Sequence, residues 1–186
     1  MSVSLLSALE ASQDCPVCQL MADACEGLLW MLLWESVNDP GVRARIRRAL
    51  GFCPRHTLRL CQVAQAEGLG MTGPAIIFAD VLATLWTRLQ TSRSPVSSEG
   101  PCPVCAHEQA VAGDGVFAVL QYVKHPSLGA LIRERGLCRP HYRMAGSATL
   151  RSPRARSVRR CGRRLFGARE RVRRPPCRMP CLISML

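Results

Sequence analysis

The strongest constraint in this sequence is a repeated spacing of cysteine and histidine. A Cys-Pro-Val-Cys element at 15–18 is followed by Cys-Pro-Arg-His at 53–56, and a second Cys-Pro-Val-Cys at 102–105 is followed by Cys-Arg-Pro-His at 138–141. The two Cys-x-x-Cys elements lie 87 positions apart, and the two Cys-x-x-His elements lie 85 apart. The same order at nearly the same spacing indicates an internal repeat.

Thiolates and imidazoles at this spacing are typical of structural zinc sites, which take four protein ligands in a tetrahedron. A Cys and a His three positions apart in the first turn of a helix project from one face, so both reach one ion. We therefore predict two zinc ions in Cys₃His sites, each joining the two halves of one repeat across a helical hairpin. The first predicted set is Cys15, Cys18, Cys53 and His56, and the second is Cys102, Cys105, Cys138 and His141.

An arginine lies between the Cys and the His of each Cys-x-x-His element, Arg55 in one and Arg139 in the other. Three thiolates and a neutral imidazole leave a site that holds a dication with a net charge of −1. Our interpretation is that the two guanidiniums offset this charge and donate hydrogen bonds to ligand sulfurs. The alternative is that both are simply exposed residues at the start of a helix.

Two other chemistries use similar residues. Cys₃His can hold an iron–sulfur cluster, and Cys-x-x-Cys has the spacing of thiol redox motifs. The redox alternative leaves the distant Cys-x-x-His unexplained and lacks the βαβ pattern expected around such a motif. The sequence shows no catalytic constellation, and four protein ligands leave no open position for a reactive water. We therefore expect a protein that is not an enzyme.

The hydrophobic pattern predicts an all-α fold of two zinc-linked helical hairpin repeats. Residues 19–37 are apolar enough for a helix buried among others, and Asp39-Pro40 predicts the start of a short helix that Gly51 ends. Further helices are expected over 56–67 and 74–90.

The second repeat should follow the same scheme more weakly, because Gly113 and Gly115 are expected to interrupt its first helix. Trp30, Trp34 and Trp86 fall in apolar stripes, so we predict that they belong to the core. The predicted domains are a first unit over 1–90, a linker over 91–100, a second and truncated unit over 101–146, and a tail over 147–186.

The basic charge is concentrated in the tail. The chain has a formal net charge of +12, and residues 147–186 contain 12 arginines against the single acidic residue Glu170. This segment is too polar to bury a core, so we expect it to be disordered. It gives an alternative function, binding of nucleic acid through phosphate contacts. The other interpretation is an out-of-frame terminus without a function.

The expected compartment is the cytoplasm. The N-terminal residues have neither the basic region nor the long apolar region of a signal peptide, and the most apolar run, Leu28–Trp34, is too short to cross a bilayer. In a reducing compartment, eleven cysteines indicate metal ligands more than disulfides.

The combination of Cys-Pro-Val-Cys, Val-Asn-Asp-Pro-Gly-Val-Arg and Gly-Phe-Cys-Pro-Arg-His resembles an uncharacterised bacterial family, a domain of unknown function with duplicated units of this kind. The resemblance covers about residues 5–145. It implies a helical, zinc-binding protein and supplies no activity. We expect a cytoplasmic module for protein interaction or scaffolding, with a protein partner and no membrane contact.

Overall fold

A computed structural model describes residues 2–11, 14–91 and 95–151 of the chain. In these residues it contains eight α-helices and no strand, so the predicted all-α fold is confirmed. The helices are α1 Ser2–Ala11, α2 Pro16–Trp34, α3 Pro40–Arg48, α4 Pro54–Ala66, α5 Thr72–Thr91, α6 Pro103–Tyr122, α7 Pro126–Arg135 and α8 Arg139–Arg151.

Proline is the first residue of α2, α3, α4, α6 and α7. Its fixed φ suits the first helical position, and its missing N–H would have no intrahelical partner there. Asp39 caps α3 by accepting a hydrogen bond from the Val42 N–H at 2.7 Å. The helices α2, α3 and α4 contain 19, 9 and 13 residues, and α6, α7 and α8 contain 20, 10 and 13.

The described residues form two compact units. One unit is Gln19–Asp114. Its core holds ten buried residues: Cys25, Leu29, Leu32, Leu33, Ile46, Leu60, Val63, Ala64, Ile77 and Val104. Both α3 and α4 pack against α5, and Asp80 of α5 accepts hydrogen bonds from Arg43 and Arg47 of α3, each at 3.0 Å.

The other unit consists of Met1–Cys18 together with the described part of Gly115–Leu186. Helix α1 packs against α7 and buries Leu5 and Leu9 almost completely. The domain boundaries at 90, 100 and 146 come from the sequence alone and stay a prediction.

Two expectations about the helices are wrong. Helix α6 runs without interruption through Gly113 and Gly115, because flanking helix formers and tertiary packing outweigh the modest helix penalty of glycine. The tryptophans are not core residues: Trp34 is 63% and Trp86 64% exposed, and Trp30 is partly exposed at 37%. The apolar residues of α2 and α5 cover more of the helix circumference than their neighbours in the described structure bury.

Helix α8 continues to Arg151, five residues into the predicted tail, and has the same length as α4. The helix of the second Cys-x-x-His motif therefore extends past residue 146, where the predicted second unit ends. The rest of the predicted tail, residues 152–186, lies outside the described residues.

Within the described part of the chain, α2 is the one helix long and apolar enough to cross a membrane by length and composition. This is weak evidence for a span, because the core helix of a soluble protein passes the same test. Leu29, Leu32 and Leu33 of this helix lie in the buried core.

Gly129 provides a sharp test of the packing at the start of α7. A Cβ atom at this position would overlap with the carbonyl oxygen of Val123. The Val123 carbonyl belongs to the backbone and cannot relieve the overlap by a change of rotamer. We therefore expect Gly129→Ala to lower the free energy of unfolding by about 2–3 kcal/mol. The measurement is urea or thermal unfolding of the full chain.

Gly113→Ala is the matched control. A Cβ atom at Gly113 meets nothing within 4 Å, and alanine favours a helix interior over glycine by about 0.8–1 kcal/mol. This variant should unfold at a higher temperature or urea concentration than the wild type. Equal effects of the two substitutions would contradict the packing described for α7.

Candidate metal centres

All eight predicted ligands lie at the N-termini of four helices. In each motif the first ligand residue immediately precedes a helix and the second is the third helical residue. Cys15 and Cys18 occupy these positions in α2, and Cys53 and His56 occupy them in α4. The same positions are filled in α6 and α8 by Cys102, Cys105, Cys138 and His141. Each pair therefore presents two side chains from one helix start.

We call one group of ligands the outer centre, because its residues come first and last in the motif order. It consists of Cys15, Cys18, Cys138 and His141. Nδ1 of His141 lies 3.4 Å from the Cys15 sulfur, 3.4 Å from the Cys18 sulfur and 3.1 Å from the Cys138 sulfur. The sulfurs of Cys18 and Cys138 are 3.5 Å apart.

The other group, the inner centre, consists of Cys53, His56, Cys102 and Cys105. Nδ1 of His56 lies 3.3 Å from the Cys53 sulfur, 3.5 Å from the Cys102 sulfur and 3.4 Å from the Cys105 sulfur. The Cys53 and Cys105 sulfurs are 3.6 Å apart. His56 and His141 are both buried.

These distances fit a tetrahedral ion. With metal–sulfur bonds of about 2.3 Å and metal–nitrogen bonds of about 2.0–2.1 Å, the edges of a tetrahedron measure about 3.8 Å between two sulfurs and about 3.6 Å between sulfur and nitrogen. The observed edges are close to these lengths in both groups. Two Cys₃His groups can therefore each hold one metal ion.

The prediction that each repeat closes its own site is wrong. The Cys-x-x-Cys pair of each repeat meets the Cys-x-x-His pair of the other repeat. Helix α2 carries the chain roughly 27 Å from its first residue, Pro16, at about 1.5 Å per residue. Helix α3 has 9 residues against 19 in α2, so it can return less than half of that distance. The connections before and after α3 are hydrogen-bonded turns that add little reach.

Three of the ligand thiols resist ionisation because of burial and neighbouring sulfurs: Cys18, Cys105 and Cys138. Burial and the neighbouring Cys102 raise the pKa of Cys105 to about 12, and burial raises the pKa of Cys138 to about 11. In the outer centre, a hydrogen bond from the Cys18 thiol lowers the pKa of Cys15, and the same contact raises the pKa of Cys18. A divalent cation would remove this penalty by offsetting the thiolate charges.

The helix starts also favour negative charge at the ligand sulfurs. The first turn of a helix presents free N–H groups and the positive end of the helix dipole. The backbone N–H of Cys18 donates to the Cys15 sulfur and contributes to the lowered pKa of Cys15. The backbone N–H of His141 donates to the Cys138 sulfur and opposes the effect of burial, which still raises the pKa of Cys138. These contacts are helix caps made by sulfur.

Glu108 is a charged residue of the site that the sequence reasoning missed. It is 4% exposed. One carboxylate oxygen lies 3.3 Å from Nε2 of His56, and the other forms an ion pair with Arg55. Glu108 lies one helical turn after Cys105, so an acidic residue three positions past a ligand was the available signal.

The structure thus places the Arg55 guanidinium on Glu108. Burial lowers the pKa of Arg55, but the ion pair with Glu108 and the nearby Cys105 and Cys53 raise it by more, so the pKa of Arg55 is raised. Donation from Arg139 to a ligand sulfur stays a prediction.

Glu108 and His56 also form a third group with Cys25, and all three residues are buried. Burial and the charge of Glu108 raise the pKa of Cys25 to about 11. Cys25 is therefore a core thiol whose surroundings favour the protonated form. The group has three ligand atoms and shares His56 with the inner centre.

The chain belongs to DUF6062, a family of unknown function, whose model matches residues 1–94. The predicted resemblance to an uncharacterised domain family is confirmed, and the matched range is shorter than the expected 5–145. The matched residues contain one ligand pair from each centre, so neither centre is complete within them.

An uncharacterized 23.9 kDa protein in the xynA 3' region of Caldicellulosiruptor sp. (strain Rt8B.4) is 28% identical to this chain over 134 residues. The match covers 68% of this chain and 63% of the relative, so the chain spans less than two thirds of the relative's length. No solved structure matches the chain.

The crossed pairing can be tested with double variants. Cys15→Ser with Cys138→Ser removes two ligands from the outer centre alone, so the full chain should keep about one metal ion. Cys15→Ser with Cys53→Ser damages both centres and should keep none. Elemental analysis of the purified variants, with protein quantified by absorbance, measures the ratio. Pairing within each repeat requires the opposite result for the two variants.

Proposed function

We propose that this member of DUF6062 is a non-catalytic protein of the reducing cytosol in which two zinc ions hold helix starts together, so that exposed apolar helix faces can bind another protein. The observation that carries the proposal is the gathering of all eight ligands into two tetrahedral Cys₃His groups. Zinc fits this donor set because it accepts thiolate and imidazole and prefers four-coordinate geometry.

A structural role is favoured over a catalytic one by the number of protein ligands. Catalytic zinc sites usually keep one position for water or substrate, and here four protein side chains supply the complete tetrahedron in each centre. Each ion would join the start of one helix to the start of another: α2 to α8 in the outer centre, and α4 to α6 in the inner centre.

The proposal of a protein partner rests on exposed apolar side chains of α5. Leu82, Trp86 and Leu89 are spaced four and three residues apart, so they lie on one face of the helix. They are 63%, 64% and 56% exposed. We call these three residues the α5 stripe. A row of large exposed apolar side chains is typical of a surface that binds another protein, and tryptophan contributes strongly to such interfaces.

A second exposed aromatic feature lies on α2. The rings of Trp30 and Trp34 stack with their centroids 6.0 Å apart and an angle of 16° between the ring planes. Trp34 is 63% exposed, so one ring of the pair is available for contact with a partner. Rigid aromatic side chains lose little conformational entropy on binding.

The first experiment measures the metal content of protein purified without added metal. We expect about two zinc ions per chain. Because structural zinc contributes on the order of 10–16 kcal/mol to the folding of small domains, an excess of a strong chelator should abolish most of the helical circular dichroism. Readdition of zinc should restore it.

Magnesium is the control cation for the readdition, because thiolate ligands do not suit a hard ion. If the purified protein contains iron and absorbs visible light, the bound group is an iron–sulfur cluster and not zinc. Full helicity and unchanged thermal stability after complete metal removal would disprove the structural role.

The α5 stripe is tested by site-specific photocrosslinking at residue 86 in the producing cell. We expect a discrete adduct from this position and none from residue 67, an exposed polar position at the end of α4. Leu82→Glu in the same chain should abolish the adduct by placing a charge in the contact surface. It should leave thermal stability nearly unchanged, because Leu82 is already 63% exposed. Equal adducts at positions 86 and 67 would argue against a specific partner at the stripe.

A further inference from the structure

We propose that Glu108 orients His56 in the inner centre and makes this centre hold its ion more tightly than the outer centre holds its own. The inference rests on the proposed binding of zinc and adds a positioning residue and an order of metal loss to it. Its basis is a buried chain of polar groups that continues from the inner ligands to Arg55.

His56 faces two different environments with its two ring nitrogens. Nδ1 lies within 3.5 Å of three cysteine sulfurs. Nε2 lies 3.3 Å from a carboxylate oxygen of Glu108, and it forms no hydrogen bond of good geometry within the described part of the chain, so this carboxylate is the polar group positioned to satisfy it. His56 is 1% exposed, so water cannot easily supply one.

A metal at Nδ1 requires the tautomer whose proton is on Nε2. In a neutral imidazole, a hydrogen bond donated by one nitrogen keeps the proton there and leaves the lone pair of the other nitrogen free. A carboxylate next to Nε2 accepts that proton's hydrogen bond and leaves the Nδ1 lone pair free for the ion. It also makes the imidazole a better donor to the metal. Glu108 is the group placed to do this.

Arg55 explains why a carboxylate can lie buried here. An unpaired buried carboxylate costs several kcal/mol of desolvation. The Arg55 guanidinium pairs with one oxygen of Glu108 and leaves the other oxygen facing His56. Arg55 is 40% exposed, so it connects the buried carboxylate to the surface.

The outer centre has no counterpart of this arrangement at the corresponding positions. Met21 stands three residues after Cys18, where the inner centre has Glu108 three residues after Cys105. The residue before His141 is Pro140, where the inner centre has Arg55. The two centres share their ligand types and differ in the residues at these two positions.

Direct ligation by Glu108 is the competing explanation, because Cys25, His56 and Glu108 form a possible ligand group of their own. That group has three ligand atoms and uses the Nε2 atom of a histidine whose Nδ1 already faces the inner sulfurs. A third ion would therefore have to share the imidazole of His56. A content of three metal ions per chain would overturn the positioning role.

The experiment uses the zinc-loaded full chain and a chromophoric chelator at increasing concentrations. Loss of a contact behind a metal-bound histidine typically weakens metal affinity by about 10–100-fold. We expect the wild type to release its two ions in two steps separated by at least about tenfold in affinity. Cys138→Ser, which damages the outer centre, should retain only the ion of the tighter step.

Glu108→Gln should weaken the tighter step by about 10–100-fold and leave the weaker step unchanged. Glu35→Gln is the matched control, since Glu35 is exposed after the end of α2 and should change neither step. If Glu108→Gln folds poorly, Arg55→Gln changes a more exposed residue and should weaken the same step. An unchanged tighter step in both variants, or retention of only the weaker ion by Cys138→Ser, would overturn the inference.

Two-bond proton–nitrogen NMR of the imidazoles separates orientation from a general effect on stability. In the wild type, we expect a protonated Nε2 on His56 with a proton resonance shifted downfield by the carboxylate. Glu108→Gln should move that resonance upfield and leave the resonances of His141 in place. Two bound zinc ions with equal affinities and an unmoved His56 resonance would disprove the role of Glu108 alone, whereas absence of any bound metal would disprove the proposed function as well.

Discussion

The arrangement of this molecule depends on the cost of ionising thiols that are gathered at helix starts. Each centre brings three cysteines and one histidine together, and the raised pKa values of Cys105 and Cys138 show how strongly burial and neighbouring thiols oppose ionisation. Helix N-termini reduce this cost, because their free N–H groups and dipoles favour negative charge. The remaining charge is what a bound dication would offset. The same four helix starts thus provide both the ligands and part of the electrostatic field that favours their thiolate form.

Helix stiffness decides which ligand pairs meet. Pairing within each repeat would close chain segments of 35 residues between Cys18 and Cys53 and 33 between Cys105 and Cys138. The observed pairing separates His56 from Cys102 by 46 positions and Cys18 from Cys138 by 120. Loop closure costs only about 0.6 kcal/mol more for each doubling of length. The entropic preference for local pairing is therefore small, and a rigid helix of 19 residues beside Cys18 overrides it.

The sequence predicts which residues are ligands, but it does not predict which pairs of ligands meet. The identity of the eight ligands followed from local spacing, because two side chains three positions apart at a helix start must point to one region. Which helix starts meet depends on the lengths and directions of α2, α3, α6 and α7, and spacing alone does not contain that information. The exposure of Trp34 and Trp86 was missed for a related reason, since an apolar stripe does not reveal whether the chain itself covers it.

The inner centre connects the metal to the proposed interaction surface within one compact unit. The ligands Cys53 and His56 flank the start of helix α4. Leu60 and Val63 of this helix share a core with Ile77 of α5. The α5 stripe lies further along that same helix. Because small metal-bound helices depend on the ion for their folding, loss of the inner ion would release the start of α4 and loosen the support of α5. If the outer centre loses its ion more readily than the inner centre, the α5 stripe would stay intact after that loss. Unequal affinities would therefore protect the proposed interaction surface.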